Sequence, residues 1–205
     1  MNATIDAATD RRIGPAWPTS RWSAPLQESM QHLALAARSR TAAILAVGGA
    51  SSTLVDDLVL DGFVNLTVLD VSAAALEATK RRLGRIARYI GWRTADVLET
   101  EFRESAFDVW HDRAVYQQLS TPVQRERYLA QVLRALKPDG IAVIGGSVPC
   151  TPHRGPDPSA VHHAADEMLS AFEPLFNLIG VSMVLKCGAG SATPKCLYTV
   201  APRAR

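Results

Sequence analysis

The chain has 205 residues, 47% of them hydrophobic and 20% charged, with a formal net charge of +2. That length suits one domain with a core of ordinary size, and the composition is that of a globular chain. The charge is too small to argue for nucleic acid or an anionic membrane as partner, and no apolar run approaches the ~20 residues of a membrane span.

Residues 1–22 start "MNATIDAATDRR", with early acids and no apolar segment, so no secretory leader is expected. Pro15 and Pro18 and the lack of periodicity predict a flexible arm over 1–22, ahead of a single domain over 23–205. The cysteines are Cys150, Cys187 and Cys196, with no C-x-x-C pair. Reduced thiols in a cytoplasmic protein fit these better than disulfides, and no structural metal site is expected.

From Ser23 the spacing of Leu26, Met30, Leu33 and Ala37 predicts a helix capped by Ser23, with Pro25 in its first turn. An alternation then begins. "AAILAV" is a short apolar strand, and "STLVDDLVLDG" a helix that stops at Gly62. "LTVLDV" is a second strand. "SAAALEATKRRLGRIARYI" is a helix capped by Ser72 and weakened or broken at Gly84. "GWRTADV" and "FDVWHD" hold the third and fourth strands. "PVQRERYLAQVLRALKPDG" is a helix ending at the Pro-Asp-Gly turn, and "IAVIGGS" a fifth strand. "VPCTPHRGPDP" is irregular, a helix follows over 159–172, and "FNLIGVSMVLK" and "KCLYTVAP" are two strands joined by a Gly/Ser/Pro connection. Alternating strands and helices predict an α/β, doubly wound, mostly parallel seven-stranded sheet, with the terminal strand antiparallel.

In such a sheet ligands bind beyond the carboxyl ends of the strands. After the first strand stands "GGASST", where Gly48, Gly49, Ala50, Ser51 and Ser52 let the backbone approach a ligand closely. A tight strand-to-helix turn explains the same residues without a ligand. The second strand ends in Asp70, twenty-two residues past Gly48, with Val71 after it. A carboxylate there can accept both hydroxyls of a ribose, or simply cap the next helix. The third ends in Asp96 and Val97, where a carboxylate can accept from the amino group of adenine. G-x-G-x-x-G and G-K-[ST] are both absent. Two acids, a ribose, an adenine and no phosphate loop favour S-adenosylmethionine as cofactor.

The fourth strand runs into "WHDRAVYQQL". Here the chain resembles the class I S-adenosylmethionine-dependent methyltransferases, and most of all a bacterial group whose fourth strand reads W-H-D-R-A-V-F-H-F-L. That group also carries V-G-G-G-A-S-T-L-V-D in the first loop and T-V-L-D-I-S at the second strand. The resemblance runs from Ile44 to Ser147, about half of the chain. It implies a Rossmann-like methyltransferase fold, with Gly48 to Ser52, Asp70, Asp96 and Asp112 lining the cofactor site. The chain departs from the group at Ala46, where an acid is usual, and at Ala50, where glycine is. It departs again at Gln117 and Gln118 in place of the F-H-F-L residues, and beyond the fifth strand.

Methyl transfer from a sulfonium is an in-line displacement that needs alignment and, for some acceptors, a base. His111 is the candidate base, against its reading as a structural histidine. Asp112 is expected to hold the cofactor's ammonium. Arg113 either binds the cofactor carboxylate or pairs with a nearby acid, and Tyr116 either faces the acceptor or packs. Cys150, His153, His162 and His163 are too irregularly spaced to read as a metal site. Arg81, Arg85 and Arg88 read as a solvated helix face, with Glu77 pairing Arg81. Trp17, Trp22 and Trp92 read as packing or cofactor-edge groups. The expected activity is methyl transfer to a small-molecule acceptor, with no nucleic acid or membrane partner and a homodimer left open. Two further readings stand beside it: a cofactor-binding protein that transfers no methyl, motivated by Ala46 and Ala50, and a protein lysine methyltransferase.

Overall fold

The structure is a computed structural model that describes residues 33, 36–50, 52–112, 114–147, 150–151, 155–156, 167–184 and 195–203. The expected arm over 1–22 and most of the first helix lie outside them. So do Ser51, Arg113, Cys187, His153, His162, His163, Trp17 and Trp22. Leu33 and Ala37, two of the residues that placed that helix, are buried.

Seven strands form one sheet in the order β3-β2-β1-β4-β5-β9-β8. They are β1 (Ile44–Val47), β2 (Leu66–Asp70), β3 (Gly91–Thr94), β4 (Phe107–Asp112), β5 (Leu136–Ser147), β8 (Phe176–Val184) and β9 (Lys195–Pro202). β6 (Cys150–Thr151) and β7 (Gly155–Pro156) make a separate two-residue ribbon. β1 to β5 run parallel, while β9 is antiparallel to both β5 and β8. The sheet order reverses at β1, which has β2 on one side and β4 on the other. That reversal opens a crevice beyond the strand ends.

Alternate residues of the central strands face two cores. Leu45, Leu69, Trp110, Ala142 and Tyr198 belong to one, with Tyr128 and Val132 packed over them. Ile44, Val68 and Val109 belong to the other, under Leu54, Val55, Leu58 and Leu76. Helices thus cover both faces, which is why these strands read as continuous apolar runs.

The helices are α1 (Leu54–Leu60), α2 (Ala73–Leu83), α3 (Val115–Gln118), α4 (Pro122–Ala135) and α5, residues 167–172. α1 stops as expected, with Gly62 at φ 88°. Ser72 caps α2, accepting from the Ala75 N–H at 3.2 Å. Gly84 does break that helix: its φ of 59° ends α2, and a 3₁₀ turn follows over Gly84–Tyr89. The four-residue α3 has no counterpart among the elements expected from spacing. Thr121 and Gln124 close a capping box at the start of α4.

One boundary differs from expectation. α4 ends at Ala135 and the chain is already extended at Leu136, with φ −74° and ψ 142°. Pro138 disfavours the helical conformation at Lys137 and cannot donate to the ladder, so the helix cannot reach the Pro-Asp-Gly turn. β5 is twelve residues long as a result, with a register shift against β4 between Phe107 and Val109.

Candidate functional site

The crevice is built by the residues that follow β1, β2, β3 and β4. After β1 the chain turns at Gly48, whose φ of 66° strongly favours glycine. Space demands glycine as well: a Cβ there would collide with a methyl carbon of Val115. Ala50 does not take a positive φ, so alanine carries no backbone strain at that position. Ala46 is buried, and a Cβ on Gly49 would rest 3.6 Å from it.

The loop's carbonyls are held by the protein. Ser52 donates through both its N–H and its hydroxyl to the Gly49 carbonyl, at 3.1 and 2.9 Å. The buried hydroxyl of Thr79 donates to the Ala50 carbonyl. Arg82 donates to the Ser52 carbonyl at 2.9 Å while gripping both oxygens of Asp56. α2 therefore anchors the loop from behind. Sequence reading missed Thr79 and Arg82. The available signal was a threonine one turn beyond Leu76, on the buried face of an otherwise apolar and charged helix.

Asp70 ends β2 half-buried. One carboxylate oxygen accepts from the Ala50 N–H at 3.2 Å, and the other from the Ser72 N–H at 2.9 Å. It ties the β1 loop to the start of α2 and retains lone pairs for further donors. Val71, next to it, is 71% exposed, an apolar face open beside a carboxylate. Asp96 lies two residues past β3 and is exposed, with one oxygen accepting from the Leu98 N–H at 2.8 Å. Val97 is buried in the core, so its side chain is a packing group rather than part of the crevice wall.

The fourth strand end is different. Asp112 is fully buried. Its carboxylate accepts from the N–H groups of Ala114, Val115 and Tyr116 at 2.8, 2.7 and 2.8 Å, and from the Tyr128 hydroxyl at 2.5 Å. The carboxylate expected to hold a cofactor ammonium thus has its oxygens engaged by four internal donors. Burial raises its pKa against the pull of these hydrogen bonds. Burial, and then the Asp112 charge, push the Tyr128 hydroxyl well above its ordinary value. His111 is only 1% exposed, level with Ala46 on β1 and Val143 on β5. That position is enclosed within the sheet. Tyr116 is buried between the Tyr128 and Phe172 rings, at centroid distances of 5.3 and 5.2 Å. Its hydroxyl has no hydrogen-bond partner among the described residues.

The remaining candidates resolve as follows. Glu77 pairs with Lys80 at 2.7 Å rather than with Arg81. Trp92 donates to the Ala87 carbonyl at 2.8 Å, as a packing group. Among the described residues no cluster of three or more metal-ligating side chains occurs, and no helix is long and apolar enough to cross a membrane. A groove of about 750 Å³ opens at the opposite end of the sheet, lined by Arg127, Arg134 and Lys137. These three cations are paired with Glu99, Glu104 and Asp108, and Arg203, also in the lining, donates to the Phe176 carbonyl at 3.2 Å.

The residues that remain in the crevice fit an adenosyl group. A glycine cradle lies under a backbone loop, and a half-buried and an exposed carboxylate with one open valine lie beside it. Comparison with known proteins points the same way. Residues 44–140 match the family described as a methyltransferase domain. The chain is similar to EEF1A lysine methyltransferase 2 of Danio rerio, 27% identical over 69% of this chain and 57% of that protein. The chain thus spans little more than half the length of this curated relative. Among solved structures, the N-methyltransferase NodS from Bradyrhizobium japonicum WM9, in complex with S-adenosylhomocysteine, superposes with a TM-score of 0.65 at 19% identity, covering 88% of this chain and 89% of that one. The Burkholderia thailandensis 1,6-didemethyltoxoflavin-N1-methyltransferase, with bound 1,6-didemethyltoxoflavin and S-adenosylhomocysteine, does so with 0.64 at 18% identity, covering 87% and 78%. The chain therefore has the Rossmann-like fold of these methyltransferases, and residues 44–140 carry the pattern of a methyltransferase domain.

Proposed function

We propose that this chain is an S-adenosylmethionine-dependent methyltransferase with a small-molecule acceptor. The observation that carries the reading is the Gly48–Ser52 loop, held by α2 and tied to Asp70 at the point where the sheet order reverses. In this reading the loop backbone runs along the cofactor, Asp70 accepts the ribose hydroxyls, Val71 lies against the adenine and Asp96 accepts from its amino group. The cofactor supplies a methyl group already activated on a sulfonium, so the protein's task is alignment and exclusion of water. With Asp112 and His111 enclosed, neither group at the end of β4 serves as a base in this reading. That suits an acceptor nucleophilic enough to need little help, such as an amine nitrogen. Gln117 and Met168 approach Gly146 at the end of β5, beside the Arg125–Glu167 ion pair. The heterocyclic acceptor named for the Burkholderia structure supports the small-molecule class.

Transfer to a protein lysine is the second reading, and the Danio rerio relative supports it. Calorimetry with S-adenosylmethionine and S-adenosylhomocysteine tests the cofactor assignment. Wild type is expected to bind both, and Asp70→Ala to bind about tenfold more weakly, the scale of one or two lost charge-assisted hydrogen bonds. No binding by wild type overturns the proposal. Transfer of a labelled methyl to small heterocyclic amines, against transfer to lysines of a protein extract, separates the two acceptor classes.

A further inference from the structure

The loop at Gly48 is braced on its front side as well as from α2. The brace starts in the core, where the indole N–H of Trp110 donates to the Tyr128 hydroxyl at 2.9 Å. That hydroxyl donates to Asp112 at 2.5 Å, and Asp112 holds the three N–H groups that open α3. Trp110, Tyr128 and Asp112 are all 0% exposed. A helix of four residues does not hold its own position in water, so α3 stands where Asp112 fixes it. Its first residue is Val115, and a methyl of Val115 occupies the space that a Cβ on Gly48 would need. An unbroken series of contacts thus runs from α4, through β4 and α3, to the turn of the loop.

We propose that Tyr128 and Val115 are positioning residues for the cofactor loop: the Tyr128 hydroxyl orients Asp112, Asp112 sets α3, and Val115 presses on Gly48 and fixes the loop backbone. Tyr128 acts through Asp112 and α3, and Val115 acts through the Gly48 backbone. The arrangement also gives Asp112 a purpose that a strand-end acid facing solvent would not have. It carries the rigidity of the aromatic core to a loop built largely of small residues. The inference rests on the reading that the cofactor lies along Gly48–Ser52.

The test is a double-mutant cycle read by S-adenosylhomocysteine calorimetry, with melting temperature followed in parallel. Tyr128→Phe is expected to raise Kd about tenfold, the scale of one buried hydrogen bond. Val115→Ala is expected to raise it about fivefold by loosening one packed contact. The double variant is expected to be no weaker than Tyr128→Phe alone, because both changes release the same contact. Phe176→Leu, in the same core but remote from the loop, serves as a control for lost stability. It is expected to lower the melting temperature and leave Kd unchanged. Tyr128→Phe binding within about twofold of wild type, or losses that multiply in the double variant, would overturn the inference alone. An equal loss of affinity in Phe176→Leu would also overturn it. Absence of wild-type binding would overturn it together with the cofactor reading. Should Tyr128→Phe fail to fold, Val115→Ala against Phe176→Leu decides the question: a loss confined to Val115→Ala supports the brace, and equal affinities overturn it.

Discussion

Asp70 and Asp112 end parallel strands on either side of β1, and in sequence they look alike: an acid closing an apolar run. The structure gives them opposite surroundings. Asp70 is half-buried, meets two backbone N–H groups and borders an exposed valine. Asp112 has the aromatic side of the core over it and meets four donors, including the Tyr128 hydroxyl. What differs is the cover. β2 is followed directly by the capped start of α2, which leaves its carboxylate at the crevice. β4 is followed by a short helix that folds back over the strand end and by α4, which brings Tyr128 down on the carboxylate. One acid is left open to the crevice and the other is enclosed.

The largest effect is expected where that distinction is sharpest. Asp112→Ala leaves one buried and two part-buried amides and a buried hydroxyl without their acceptor, at a cost of about 3–5 kcal/mol in stability. Asp70→Ala costs about 1 kcal/mol in stability, because its partners are nearer to water, yet it weakens cofactor binding about tenfold. Urea unfolding of the two variants checks the contrast, and equal losses would break it. Gly48→Ala comes next. Its φ penalty of about 1–2 kcal/mol adds to a collision with Val115. S-adenosylhomocysteine affinity is expected to fall about tenfold or more, and Val115→Ala in the same chain to restore part of it by removing the collision.

The smallest effect concerns acid stability. Burial by itself would raise the pKa of Asp108, but its hydrogen bonds with Lys137 and with the Ala43 N–H outweigh burial and lower it. A carboxyl lowered on folding stabilises the protein above its unfolded value, and that contribution is lost as pH falls through the folded value. Asp112 has the opposite sign: its raised pKa favours the folded state on the acid side, and this advantage fades as pH rises through the folded value. Melting temperature followed from pH 7 down to about pH 3 is therefore expected to fall less steeply for Asp108→Asn than for wild type. An unchanged slope would show that the Lys137 pair contributes nothing to acid sensitivity.

The parts of the site that can be read in advance are those with local causes. Gly48 is required by a turn, Asp70 by the spacing that links one strand end to the next, and the break at Gly84 by the absence of a Cβ. Asp96 belongs with them, since it follows the third strand in the same pattern. His111 and Asp112 stand out through their place after β4 and through resemblance, and neither of these carries information about what folds over them. Tyr128 lies sixteen residues beyond Asp112 on another element, and in sequence it is one apolar position of an amphipathic helix. Thr79 and Arg82 are hidden for the same reason. Their partners are loop carbonyls, and a backbone carbonyl has no letter in the sequence.

The sequence by itself determined the α/β class, the order of the strands and, apart from the short α3, of the helices from β1 to β5, the antiparallel last strand and the loop-and-acid half of the crevice. Periodicity, caps and turn residues are set by neighbours within a few positions, so a single chain displays them. The tertiary structure decided which carboxylate stays open to the crevice and which is consumed internally, where α4 gives way to β5, and that Val115 rests on Gly48. Each of those outcomes depends on solvent exclusion or contact between residues far apart in the chain. Burial is a property of the assembled core, and it changes both the charge preference of a carboxyl group and the donors within its reach.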